Sequence, residues 1–175
     1  MNRKESVVYF KKIGCKGKYQ DDQAIPDLIE YITRPEKTPS GMIFSKNVDK
    51  EDMAGSMIKV SERFNKNSRL RLHHFVVSFE PEYKEQTDLL IRVAKKICNH
   101  IGGLYQIVAA VHEDTDNPHI HCVFNAVSLM DGTKYRGGKK EYRDLTEKIK
   151  KILHKEGRFI LIKVKYVPGP LDPHE

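Results

Sequence analysis

Cysteine is scarce in this chain and scattered: Cys15, Cys98 and Cys122 are odd in number and far apart. That excludes a disulfide framework and a CxxC zinc pattern, and it makes a reducing cytoplasm the expected compartment. Long hydrophobic runs are missing too. The opening MNRKESVVYFKK has too short an apolar run for a signal peptide, and no stretch approaches the length of a membrane span. There is no internal repeat and no low-complexity segment. Acidic side chains are in the minority, 24 Asp+Glu against 31 Lys+Arg, a formal net charge of +7. Such a surplus is compatible with a polyanionic partner, because each phosphate neutralised releases counterions, although charge alone does not establish one. The hydrophobic fraction of 39% beside a charged fraction of 31% describes a soluble domain with a heavily solvated surface. A length of 175 residues suffices for one proper core. The expectation is a single domain over residues 1–167, with PGPLDPHE (168–175) as a flexible tail.

Periodicity supplies the elements. SVVYFKK (6–12) reads as a first strand, and the glycine-rich GCKGKYQDD after it as a loop. Ile25, Leu28, Ile29 and Ile32 share one side of a helix over 25–33. Pro35 ends that helix, since the residue before a proline is steered away from the helical region. TRPEKTPSG is a turn-rich connection, followed by an amphipathic helix over 49–64 opened by Asp49 as N-cap. LHHFVVSF (72–79) is a β-branched and aromatic strand. A strong helix over 85–101 offers Leu89, Ile91, Val93, Ala94 and Ile97 to the core and closes at Gly102-Gly103. Two strands, 105–114 and 119–128, are joined by a turn around TDNP; a basic helix (140–157) and a final alternating strand (158–167) follow. The fold class expected is an α/β (α+β) sandwich, with a largely antiparallel central sheet of about five strands and helices packed on it.

One stretch carries the chemistry. HEDTDNPHIHCVFN (112–125) sets His112, His119 and His121 among acidic residues and then turns apolar. On a strand His119 and His121 point to one side, while Ile120, Cys122, Phe124 and Ala126 point to the other. If the preceding strand pairs antiparallel through the turn, His112 arrives beside them. Three imidazoles with open positions describe a catalytic metal site rather than a closed structural one, with Asp114 or Asp116 available to accept an imidazole N–H. A lone HxH reads equally well as two surface histidines of a polar hairpin. The third histidine, the acidic spacer and the apolar strand behind favour the metal.

V-H-E-D-T-D-N-P-H-I-H-x-x-x-N resembles the third motif of relaxases, the mobilisation nucleases of conjugative plasmids, within the endonucleases named for a histidine–hydrophobic–histidine signature. The resemblance extends from about Val7 to about His154. It implies that fold and one divalent ion held by His112, His119 and His121 against the scissile phosphate. Magnesium or manganese is the expected ion, although imidazoles also admit zinc, cobalt or nickel. It implies Asp114 as the acidic catalytic residue, and Ser78 and Asn125 as polar supports of the site. LIEYITRPEKT (28–38) is similar to the first motif, which implies Tyr31 as the nucleophile. From its residues alone, Tyr31 reads as a ring capping the core beside Leu28 and Ile29. Tyr135 and Tyr142 are rivals, because related rolling-circle replication initiators and transposase nucleases place their tyrosine after the paired histidines. Relaxases usually continue for hundreds of residues beyond the nuclease, so a cut-out domain and a small stand-alone nickase both stay open.

The implied reaction is site- and strand-specific nicking and strand transfer through a 5′-phosphotyrosine, inside a bacterial cell. The implied partners are single-stranded DNA or an origin-of-transfer hairpin, with accessory mobilisation proteins as further candidates, and no membrane; a non-catalytic single-strand binder is the competing class. Candidate DNA contacts are Arg34 and Lys37 beside Tyr31, His74 on its strand, and the segment KYRGGKKEYR. That segment gathers Lys134, Arg136, Lys139, Lys140 and Arg143 around Tyr135 and Tyr142. Such a stretch can follow a phosphate backbone while rings stack on bases, or it can be a solvated loop. Of the neighbours His73 and His74, alternation lets only one face the site, and His74 is the expected one. Neither the target sequence nor the oligomeric state is legible.

Overall fold

The computed structural model describes residues 6–13, 19–156 and 160–167. In chain order the elements are β1 (Ser6–Ile13), α1 (Ala24–Thr33), β2 (Ile43–Lys46), α2 (Met53–Arg63) and β3 (Leu72–Phe79). A 3₁₀ turn (Pro81–Tyr83) leads into α3 (Thr87–Ile101), followed by β4 (Ile107–His112), β5 (His119–Asn125), α4 (Lys139–Lys155) and β6 (Ile160–Val167). The expected loop at 14–18, the link at 157–159 and the tail at 168–175 lie outside the described residues.

The six strands form one sheet in the order β2-β4-β5-β3-β1-β6. Every pairing is antiparallel except β1 with β6, which α4 makes parallel by crossing over from β5. The architecture is the expected α+β one with a strand more than foreseen. The extra strand, β2, is four residues long at the sheet edge, too short for its alternation to stand out from the turn-rich segment before it.

Alternation divides the sheet into two unlike faces. On one, Val8, Phe10, Phe75, Val77, Phe79, Val111, Ile120 and Phe124 pack against α3 and α4 in the larger core. α3 delivers Leu89, Leu90, Val93, Ala94, Ile97, Cys98 and Ile101, so Leu90 and not Ile91 faces inward. Burial pushes the Cys98 thiol up to about 12 and Cys122 well above its ordinary value, leaving both as inert apolar fillers. On the other face α1 and α2 set Ile25, Leu28, Ile29, Ile32 and Met57 over Leu72, Val108, Ala110 and Val123. There the apolar side chains give way to histidines.

α2 begins later than its periodicity suggested. Asp52, not Asp49, is the N-cap, its carboxylate accepting the Gly55 N–H at 2.9 Å. Asp49 instead accepts the Glu51 N–H in the preceding turn, since an Asp two residues before a free N–H closes that turn as readily as it caps a helix. Phe79 is fully buried between the sheet and Tyr83, with ring centroids 5.4 Å apart. Phe79→Ala is expected to cost about 3–5 kcal/mol of unfolding free energy. Denaturant titration read by circular dichroism measures it, and a loss below about 1 kcal/mol would contradict this packing.

Candidate metal centre

The register of β4 on β5 assembles the site. His112 pairs directly with His119, and Ala110 with His121, so all three imidazoles emerge on the α1/α2 face. Their ring centroids stand 4.5–5.2 Å apart, and one nitrogen from each lies within 4.8 Å of the other two. His112 and His121 are buried; His119 is partly exposed and opens the cluster to solvent.

Each imidazole is held by its other nitrogen. The Nε2–H of His112 donates to the Ile32 carbonyl at 2.7 Å, leaving Nδ1 its lone pair. That carbonyl is free because α1 stops at Thr33. Arg34, ahead of Pro35, turns extended at φ −52°, ψ 127°, and the last helical carbonyls lose their partners. Thr38 Oγ1 also donates to it, at 2.9 Å. The Nδ1–H of His119 donates to the Asn117 carbonyl at 2.9 Å, freeing Nε2. His121 Nδ1 faces His74 Nε2 at 2.9 Å. Neither Asp114 nor Asp116 accepts an imidazole proton, contrary to expectation; backbone carbonyls hold two of the rings. A carbonyl fixed by the fold orients a ring as well as a carboxylate does, without burying a charge.

Burial dominates the electrostatics. It lowers His119 to about 4, His121 well below its usual 6.5, and His112 in the same direction. Asp114, exposed just beyond β4, pulls His112 and His119 partly back. The three rings are therefore neutral at pH 7, the state a divalent ion requires of imidazole ligands, and His112 and His119 each keep a lone pair free. Three convergent nitrogens with open positions fit a catalytic ion.

Tyr31 reaches this cluster. Its ring meets His121 edge-on, centroids 5.8 Å apart, with Arg34 and Lys37 over the ring at 5.4 and 5.6 Å. It is half-buried at the margin of the α1 core, so the core-capping and site-facing readings hold together. Lys37 adds positive charge beside His112 and His121, and Lys11 beside His119. Lys11 was not legible as a site residue. It shares its face with Tyr9 on β1, but only the β3–β1 pairing sets that face beside the histidines.

The remaining expectations divide. Ser78 pairs with His119 across β5–β3 and is buried beside it. Asn125 lies away from the three imidazoles. On the same face but four residues beyond His121, roughly 13 Å along the strand, it donates to Gln106 Oε1 at 2.9 Å and to the Met57 carbonyl at 3.0 Å. It anchors α2 to the end of β5. His74 is on the expected face, but at 3% exposure it has no surface for DNA and lies behind His121. His73 faces the other way, stacked on Phe124.

KYRGGKKEYR is the largest correction. Tyr135 packs on His73 and Phe124, with centroids 4.7 and 5.2 Å away, Tyr142 packs on Phe10, and Lys12 donates to the Gly137 carbonyl. All these partners belong to the α3/α4 face. The segment carrying Lys134, Tyr135, Arg136, Lys139, Lys140 and Arg143 thus lies across the sheet from the imidazoles. Lys134 donates to the Ser68 carbonyl and Lys140 pairs with Asp144 at 2.8 Å. Burial pushes the Tyr142 phenol up to about 12 and raises Tyr135 as well, and both rings are packed on the face away from the imidazoles. Nothing in the sequence tells to which face a chain leaving β5 returns; burial of the Tyr135 ring on Phe124 decides it.

An antiparallel-centred α+β sheet presenting three imidazoles from adjacent strands defines the class of histidine–hydrophobic–histidine nuclease domains. Comparison narrows the class: the family model described as relaxase, MobA/VirD2-like, nuclease domain matches residues 31–158, and the chain belongs to that family. It is 31% identical to a protein Rlx of Staphylococcus aureus over 69% of this chain and 36% of that protein. To protein TraI of Escherichia coli it is 29% identical, over 57% of this chain and 14% of the relative. To the group II intron-interrupted relaxase LtrB of Lactococcus lactis it is 25% identical, over 66% and 25%. The chain thus corresponds to about a third or less of these relatives' length. No helix among the described residues is long and apolar enough to cross a membrane.

His73 yields a pH prediction. Burial lowers it to about 4 from 6.5, so the folded state binds fewer protons than the unfolded state between those values. Stability is therefore full above about 6.5 and falls as the pH drops towards 4. His73→Phe is expected to flatten the pH dependence of unfolding free energy by about one proton over that window. Urea titrations at stepped pH measure the slope; an unchanged slope would refute the assignment.

Proposed function

We propose that this domain nicks one strand of DNA at a defined site and keeps the cut end as a 5′-phosphotyrosine on Tyr31, as a mobilisation relaxase does. The observation that carries the reading is the Tyr31 ring set edge-on against His121, one of three convergent neutral imidazoles. A divalent ion held by His112, His119 and His121, with magnesium or manganese the expected occupant, would neutralise the scissile phosphate's non-bridging oxygens and make phosphorus electrophilic.

The chain's own groups supply the rest. Tyr31 Oη forms a bond to phosphorus as the bond from phosphorus to the 3′-oxygen breaks. The phenolic proton passes to a base, for which Asp114 is the candidate, and the departing 3′-oxygen takes up a proton from solvent. The ester conserves the bond energy, so the reverse attack by a 3′-hydroxyl rejoins or transfers the strand. Arg34, Lys37 and Lys11 bring positive charge to the phosphate's path. A scissile phosphate has to reach the three imidazoles and Tyr31 unpaired, which supports single-stranded DNA or the single-stranded flank of an origin hairpin as substrate. Accessory mobilisation proteins and a cytoplasmic setting go with this role.

With a labelled origin oligonucleotide and manganese, wild type is expected to form a covalent adduct resolved by denaturing electrophoresis. Tyr31→Phe and chelator-treated protein should form none, and His119→Ala should fall at least a hundredfold; an undiminished adduct with Tyr31→Phe would remove it from the role. Lys11→Ala and Lys37→Ala are each expected to weaken single-strand binding and to lower the salt dependence of log K by about 1, measured by fluorescence anisotropy across salt concentrations. An unchanged slope for both would place the strand elsewhere.

A further inference from the structure

Behind the three imidazoles lies a fourth, His74, touching no solvent-facing group of the site. It is buried on β3, one strand over from His121, with ring centroids 5.1 Å apart and planes inclined by 31°. Its two nitrogens are both engaged: Nε2 meets His121 Nδ1 at 2.9 Å, and Nδ1 meets the Tyr19 hydroxyl at 3.4 Å. Tyr19 is itself buried and held in the left-handed region at φ 59°, an uncommon backbone for a bulky residue. Its carbonyl is tied to β3 by the Arg71 N–H.

A chain of hydroxyl, imidazole, imidazole can carry its protons in two directions. In one, the Tyr19 O–H donates to His74 Nδ1 and the His74 Nε2–H donates to His121 Nδ1. His121 then carries its proton on Nε2, the nitrogen not engaged by His74, and has no lone pair to offer from it. In the other, the His121 Nδ1–H donates to His74 Nε2, and the His74 Nδ1–H donates to the Tyr19 oxygen. Now His121 Nε2 is a bare lone pair. Only the second direction is compatible with a bound cation. The other two ligands have their tautomers set by backbone carbonyls, which can only accept. His121 alone depends on a side chain that could either donate or accept.

We propose that His74, steadied by Tyr19, is a positioning residue for the metal centre: it accepts the His121 Nδ1 proton and so turns the Nε2 lone pair of His121 towards the ion. This rests on the metal reading above and adds to it that affinity for the ion is set one layer behind the ligands.

Three measurements on the 175-residue chain test it. Manganese titrations by calorimetry should give His74→Phe, which keeps the ring but loses the acceptor, an affinity about 10–100-fold below wild type. His74→Gln, whose amide oxygen can stand where Nε2 stood, should recover part of it. The metal-free thermal midpoints of the two variants separate packing from positioning. Wild-type affinity in His74→Phe, or equal losses of affinity in both variants with equally lowered midpoints, would overturn the proposal. Nitrogen-15 NMR of the imidazoles with zinc bound serves as a readout needing no substitution. It should find His74 protonated on Nδ1 and bare on Nε2, and the opposite tautomer would overturn the proposal. Wild type that binds neither manganese nor zinc would overturn the metal reading itself, and this inference with it.

Discussion

The pairing of His112 with His119 across β4 and β5 is the constraint on which the site depends. Side chains on a strand alternate, so a slip of one residue would drive one strand's imidazoles into the α3/α4 core and bring Ile120 or Val111 to the site. The register is held by what lies behind it. Val111, Ile120, Cys122 and Phe124 are all essentially buried in the larger core. The larger core thus fixes the geometry of the imidazoles on the opposite face. His74, His119 and His121 are all kept neutral by burial, so the site is assembled at the expense of solvation and held by hydrogen bonds.

A second joint couples the candidate nucleophile to this frame. Because α1 ends one residue before Arg34 turns extended, the Ile32 carbonyl is left to receive the His112 proton. Tyr31 is the next residue back on that helix. The position of its ring relative to His121 and the orientation of His112 therefore share one support: moving the end of α1 would disturb both. Thr38 donates to the same carbonyl and closes the turn that carries Lys37 to the ring. Proline thus does more than stop a helix; it creates the acceptor that orients the His112 imidazole.

The two faces also divide the chain's basic surplus. Arg34, Lys37 and Lys11 gather round the imidazoles, whereas the conspicuous cluster at 134–143 starts α4 on the far side. Dense local charge is therefore a poor guide to which basic residues gather round the imidazoles. Three lysines and arginines drawn from two separate elements do more for the site's potential than the richer run, because they converge on one point.

From the sequence, the clustering of the three imidazoles, the strands that pair them and the class of fold could be read. His112, His119 and His121 sit within ten residues and on two strands joined by a short turn, so local alternation determines their meeting. Pro35 marks the end of α1 in the same local way. What lay between distant segments was not legible. The alignment of Lys11 beside His119, the burial of His74 behind His121, the retreat of Asn125 to the end of β5 and the return of KYRGGKKEYR to the other face all depend on which strands become neighbours and which rings bury together. Periodicity states that a residue faces inward or outward, whereas the partner it meets there is chosen by the packing of the whole chain.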